Sequence, residues 1–100
     1  MDITREIMKL RKFIKPLLED EPNDGMVEWL TIGFEYEPKE KMWHVVPAYE
    51  GAGDGCLNYI DWVNSERGTS VLQGVGADID LAIKELWTQV RKYKKYRYAV

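Results

Sequence analysis

Asp78-Ile79-Asp80-Leu81-Ala82-Ile83-Lys84-Glu85-Leu86-Trp87-Thr88-Gln89-Val90-Arg91-Lys92-Tyr93 is the stretch that decides the fold. Ile79, Ile83, Leu86, Val90, Tyr93 and then Arg97 recur in alternating steps of four and three, which is one stripe of an α-helix; Ala82 and Trp87 widen it. Asp78 is placed to cap the start, Asp80 follows in the first turn, and Arg91, Lys92, Lys94, Lys95 and Arg97 crowd the end. Acid first and base last is the order that the helix dipole favours. The spacing predicts an amphipathic helix that needs an apolar surface to lie on.

That surface is readable upstream. Leu30, Ile32, Phe34 and Tyr36 alternate with Trp29, Thr31, Gly33 and Glu35, a strand with one apolar face. Glu37-Pro38-Lys39-Glu40-Lys41 reads as a tight connection, and Met42-Trp43-His44-Val45-Val46-Pro47-Ala48-Tyr49 as the antiparallel return. Pro47 has no amide hydrogen to donate, which places the far end of this strand at an edge or a bulge. Thr69-Ser70-Val71-Leu72-Gln73 reads as a short strand ending at Gly74 and Gly76. The aromatic and β-branched content of Leu57-Asn58-Tyr59-Ile60-Asp61-Trp62-Val63 favours a strand, though Leu57, Ile60 and Val63 could also line a short helix. At the other end of the chain Ile3, Ile7, Leu10, Ile14 and Leu17 form a second helical stripe behind the cap Asp2. Pro16 predicts a helix over about residues 2–15, then a kink or separate turn. The expected fold class is α+β: one domain over residues 1–100, a two-layer sandwich in αβββ(β)α order, with two amphipathic helices on one face of an antiparallel sheet. Leu30, Ile32, Phe34, Ile83, Leu86 and Val90 are expected between the layers.

Composition is consistent with such a core. Of 100 residues, 45% are hydrophobic and 12% aromatic, and each of the four Trp can bury about 200 Å². With one cysteine, Cys56, no intramolecular disulfide and no all-cysteine zinc site can form; a lone thiol fits a reducing cytoplasm. The mixed-charge start Met1-Asp2-Ile3-Thr4-Arg5-Glu6 lacks the apolar region of a signal peptide, and no apolar run approaches the roughly 20 residues that span a bilayer. The expectation is a cytoplasmic protein with no membrane association and no cofactor.

The net charge of −3 hides an asymmetry. Residues 1–18 hold Arg5, Lys9, Arg11, Lys12 and Lys15 against Asp2 and Glu6, residues 91–100 hold bases and no acid, and the middle is strongly acidic. Such a layout bears on partners rather than on fold. Arg91, Lys92, Lys94, Lys95, Tyr96, Arg97 and Tyr98 interleave cations with rings, the chemistry of nucleic-acid contact, since cations neutralise phosphates and rings stack on unpaired bases. A solvated helix end matched to its dipole has the same composition. Glu19, Asp20, Glu21, Asp24, Glu50, Asp54 and Asp61 form a candidate acidic partner surface, suited to the basic groove of a nucleic-acid enzyme; ordinary solubility would explain them as well.

Catalytic signals are sparse. Gly51, Gly53 and Gly55 follow a strand, but the spacing is not that of a phosphate loop, and Glu50, Asp54 and Asp61 would repel a phosphate. His44 is the single histidine; with Cys56 it would make a nucleophilic pair, but no elbow or oxyanion signature accompanies it. An enzyme built on His44 and residues 50–56 is therefore the least supported reading.

Strand, turn, strand and then Gly74-Val75-Gly76-Ala77-Asp78-Ile79-Asp80-Leu81-Ala82-Ile83-Lys84-Glu85-Leu86 resembles the HicB-like antitoxin domain over about residues 30–87. That family passes from a last strand through a glycine and a capping residue into a helix with Ala and Leu inward. This chain departs from it in the length of the Gly-rich stretch and of residues 56–68, and in having Lys39-Glu40-Lys41 where a turn glycine is expected. The resemblance implies neutralisation of a protein partner by a small sheet domain and transfers no catalytic residue. Double-stranded RNA-binding domains share the helix–strands–helix order, but Asp78 and Asp80 stand where their last helix begins with bases. The expected function is a non-catalytic regulatory module that occupies a protein partner, as small antitoxins and phage- or plasmid-encoded inhibitors do. The alternative is weak nucleic-acid binding by the basic first helix and tail.

Overall fold

The computed structural model describes residues 1–18, 30–50, 57–64 and 67–98, with the backbone alone at Glu50. The expected α+β arrangement holds, with a helix at each end and antiparallel strands between. Helix α1 spans Ile3–Leu18. Asp2 caps it twice: its Oδ1 accepts from the Arg5 amide at 3.2 Å and its carbonyl from the Glu6 amide at 3.0 Å. The helix does not end before Pro16 but runs on to Leu18. Leu17 and Leu18, beyond the proline, are 3% and 2% exposed. Burying two leucines is worth about 3–6 kcal/mol, against about 3 kcal/mol for a proline in mid-helix. The carbonyl that loses its partner belongs to Lys12, on the exposed side of the helix, where water can serve it.

Strands β1 (Thr31–Glu37) and β2 (Met42–Glu50) form the expected hairpin, with Phe34 opposite Val45 and Tyr36 opposite Trp43. At its turn Lys41 takes the left-handed conformation (φ 55°) in place of a glycine. Among the described residues, six strand segments in two sheets replace the expected three or four. The stretch 57–63 is strand but not one strand: β3 (Leu57–Tyr59) pairs with β2, while β4 (Asp61–Asn64) pairs with β5 (Gly68–Val71) in a separate two-stranded sheet. Gly74 and Gly76, expected to end a strand, bound one of their own, β6 (Gly74–Gly76), which also pairs with β2.

Strand β2 is thus central rather than at an edge. On one side it meets β1; on the other, β3 faces Ala48–Glu50 and β6 faces Trp43–Val45. Both run antiparallel to β2, so they are two pieces of a single line, interrupted at Val46 and Pro47. Pro47 lies at the gap in the ladder, where a residue without an amide hydrogen is tolerated. Between the pieces the chain leaves the sheet as the β4–β5 hairpin and returns, and the Leu72 amide closes the base by donating to the Ile60 carbonyl at 2.7 Å.

Helix α2 (Ile79–Tyr98) packs on β6, β2 and β4 and is capped by Asp78, whose Oδ1 accepts from Leu81 N at 2.8 Å. Gly74 and Gly76 let it approach. A Cβ built on Gly74 would stand 2.1 Å from the Ala82 carbonyl oxygen, and one on Gly76 would stand 2.5 Å from the Ala82 amide nitrogen. The core draws on every layer: Leu10, Ile14, Val45, Leu72, Ile83, Leu86 and Val90 are fully buried. Leu30 is buried as expected, whereas Ile32 and Phe34 are half-buried at the rim. No helix among the described residues is long and apolar enough to cross a membrane.

Candidate functional site

Two surfaces stand out, one on each side of the main sheet. On the side away from the helices, Thr31, Gly33, Val46 and Ala48 form a floor of small side chains, with Leu57 and Tyr59 of β3 beside it and Glu35 at one end; together they line a shallow groove of about 120 Å³. Leu57 is 58% exposed and Tyr59 52%, among the largest apolar exposures of the described residues. Their exposure follows from the alternation of β3, which turns Asn58 to the other face. The same outer face becomes polar towards the β1–β2 turn. His44 lies opposite Glu35; its Nδ1 is 3.0 Å from Gln73 Oε1 and its Nε2 3.6 Å from Glu40 Oε2. Both ring nitrogens thus face oxygen acceptors, an arrangement that orients the ring. No cluster of three or more His, Cys, Asp or Glu side chains able to hold a metal ion occurs among the described residues. The proposed partner of His44, Cys56, and the loop at residues 51–55 lie outside the described residues. So do Glu19, Asp20, Glu21 and Asp24, with Asp54 and the side chain of Glu50; Asp61 is exposed on β4.

On the helical side, contacts fix the direction of packing. Glu6 and Phe13 of α1 meet Trp87 of α2, Phe13 also meets Lys94, and Leu17 meets Arg97. Residue numbers rise together along both helices, so the two run in the same sense and their basic ends coincide. Glu6, Lys9 and Phe13 form one stripe of α1; Trp87, Arg91, Lys94 and Tyr98 form one stripe of α2. Where these stripes meet, the Phe13 and Trp87 rings stand edge to face at 5.6 Å. Arg91 lies 5.6 Å over the Trp87 ring and Lys94 5.3 Å over that of Phe13. Trp87 Nε1 donates to Glu6 Oε2 at 3.0 Å, and Lys9 Nζ stands 3.4 Å from Glu6 Oε1. The indole hydrogen bond, helped by the charges of Lys9 and Arg5 and opposed by partial desolvation, holds the Glu6 carboxyl below the usual glutamate range.

The basic tail is therefore not one surface. Arg97 Nε donates to the Leu17 carbonyl at 2.9 Å, satisfying one of the open acceptors at the end of α1. A helix end that merely matched its dipole would leave Arg97 solvated; the bond instead holds it against α1. Tyr96 packs by its ring against Trp62 (5.9 Å) and Tyr93 (6.2 Å), on the hairpin side of α2, and keeps 45% of its surface exposed. Arg91, Lys94, Lys95 and Tyr98 are exposed. Lys92 is half-buried. The sequence pointed to the bases of the first helix, Lys9 among them, together with the tail, but missed Phe13 and Trp87, which complete the seam; their signal was the matching pair of stripes, legible only once the helices are known to be neighbours.

A buried polar chain ties the hairpin to α2. Asn64 Nδ2 donates to Gln89 Oε1 at 3.0 Å, Gln89 Nε2 to Glu85 Oε1 at 3.0 Å, and Arg67 reaches the same carboxylate at 3.3 Å. Asn64 and Gln89 are 3% and 4% exposed, so this pairing fixes the hairpin where an unpaired amide would be costly. Gln89 continues the line Ala82, Leu86, Gln89, Tyr93, a polar residue inside an apolar stripe. No family model, curated protein or solved structure matches this chain.

Proposed function

We propose that the protein is a small binding module without catalytic machinery, which regulates a protein partner by docking it on the open face of the main sheet. The observation that carries this reading is the groove between Leu57, Tyr59 and the floor of Gly33, Val46 and Ala48. An aromatic and an aliphatic side chain standing over small residues can grip an apolar side chain, and such anchors supply most of the energy of protein interfaces. Glu35 on the groove and the exposed Glu40, which reaches His44 on the same face, favour a partner with a basic rim. Neutralisation of a partner by a small sheet domain is also what the resemblance to antitoxin domains implies.

A photo-crosslinking residue placed at Tyr59, with a control at the exposed Leu81 on α2, tests this in cells of the natural source. A single protein captured from position 59, absent from position 81 and lost on Leu57→Lys, is the expected result. Equal capture from both positions, or capture that Leu57→Lys leaves unchanged, would sink the reading.

A further inference from the structure

We infer that the seam between α1 and α2 is a second binding site, for single-stranded nucleic acid, separate from the open sheet face. Beyond Glu6, α1 carries no acid, and beyond Glu85, α2 carries none. Because the helices run in the same sense, these acid-free halves lie side by side. Lys9, Arg91 and Lys94 then stand among the rings of Phe13, Trp87 and Tyr98 along one seam.

Helix dipoles account for part of this charge but not for the seam. Cations offset a negative helix end within its last turn. Lys15, Lys95 and Arg97 are in that position. Lys9, Lys12, Arg91 and Lys94 lie further back, and gathering them on two adjacent helices raises mutual repulsion that the fold alone does not require. Arg91 and Lys94 are held over ring faces. That ordering lowers the entropy lost when they meet a fixed partner. The spacing of phosphates along a strand suits a line of cations, and the Tyr98 ring, 57% exposed, offers a face to an unpaired base. The outer face of α1 continues the surface: Arg5, Met8, Lys9 and Lys12 line an open depression of about 440 Å³ with Asp2 and Thr4. An anionic membrane fits less well. A helix that lies on a bilayer needs a free apolar face, and here Leu10, Ile14, Leu17, Ile83, Leu86 and Val90 are committed to the core.

Anisotropy of a labelled oligothymidylate at low salt tests the proposal, with vesicles of phosphatidylserine and phosphatidylcholine as a parallel arm. Two triple variants remove the same charge from different places: Lys12→Gln/Arg91→Gln/Lys94→Gln on the seam and the outer face of α1 that continues it, and Lys39→Gln/Lys41→Gln/Lys84→Gln away from both. The seam variant should bind at least about tenfold more weakly, and its slope of log K against log salt should fall by about 2, while the second variant stays within about twofold of the parent. Should the seam variant melt at a lower temperature than the parent, Lys12→Gln/Lys95→Gln, whose side chains make no ring contact among the described residues, replaces it, with about threefold weakening expected. Undetectable binding by the parent, equal weakening by the two triples, or preference for vesicles over oligonucleotide would each overturn the inference. None of these outcomes touches the crosslink at Tyr59, so the two readings fail separately.

Discussion

Gly33 and Gly74 occupy the same sheet and face opposite ways. On the helical face, Gly74 is pressed so closely by α2 that a Cβ would meet the Ala82 carbonyl oxygen at 2.1 Å and the Leu86 amide nitrogen at 2.4 Å. On the outer face, a Cβ on Gly33 would find the Val46 carbonyl oxygen at 3.6 Å, an ordinary contact. One glycine brings a helix and a strand together backbone to backbone; the other floors a groove that no described element covers. The sheet thus has a side under compression, where packing sets every residue, and a side where side chains are free to serve a partner.

The sharpest way to break this contrast is to make the same substitution on both faces. Gly74→Ala should cost about 3 kcal/mol or more, because the clash is with backbone and no rotamer change relieves it. Gly33→Ala should stay within about 0.5 kcal/mol of the parent, or stabilise, since alanine is the better strand residue where space allows. Urea unfolding of both variants reads the difference. Equal losses would mean that the two faces are not distinct in the way described.

Leucines extend the comparison. Leu86 is fully buried against the sheet, and Leu86→Ala should cost about 2–5 kcal/mol. Leu57, 58% exposed, should cost under about 0.5 kcal/mol when truncated. A change at Leu86 below that threshold would sink the placement of α2 on the core. On the tail, Arg97→Gln should lower stability by about 1–2 kcal/mol through loss of the bond to the Leu17 carbonyl. Lys95→Gln, two residues away and exposed, should leave the melting temperature unchanged.

The compressed side was largely legible in the sequence, and the open side was not. Both helical stripes, both N-caps and the β1–β2 hairpin follow from periods and capping residues, which are local rules. Pro16 misled about where α1 ends, because a local rule predicted a stop that the burial of Leu17 and Leu18 overrides. Gly74 and Gly76 misled in the other direction: as punctuation they ended a strand, whereas their function is to admit a helix, which depends on a neighbour far along the chain. The interrupted line of β3 and β6 is likewise a matter of pairing, and Pro47 marked the gap without saying which strand it broke. Of the seam, the bases of α1 and α2 were visible, but Phe13 and Trp87 join them only through parallel packing that no single stripe encodes.

The smallest effect concerns Glu6, the one acid that touches the seam among the described contacts, and here stability and binding should move in opposite directions. The Trp87 indole and the neighbouring cations favour the ionised carboxylate, so its folded-state value lies below its unfolded one. A group shifted in this direction contributes stability that is present above the unfolded value and is lost as pH falls through the folded one. Glu6→Gln keeps an oxygen to accept from the indole but gives up the charge. The variant should therefore melt slightly below the parent near neutral pH, and the gap should close as pH drops through and below the usual glutamate range. A gap that stays constant with pH would show that shape, not charge, makes the contact. If the seam holds a phosphate backbone, the same variant should bind oligothymidylate more tightly at neutral pH, because a negative charge has left a line of cations. Weaker stability with tighter binding is the combination that a purely structural contact between α1 and α2 would not produce.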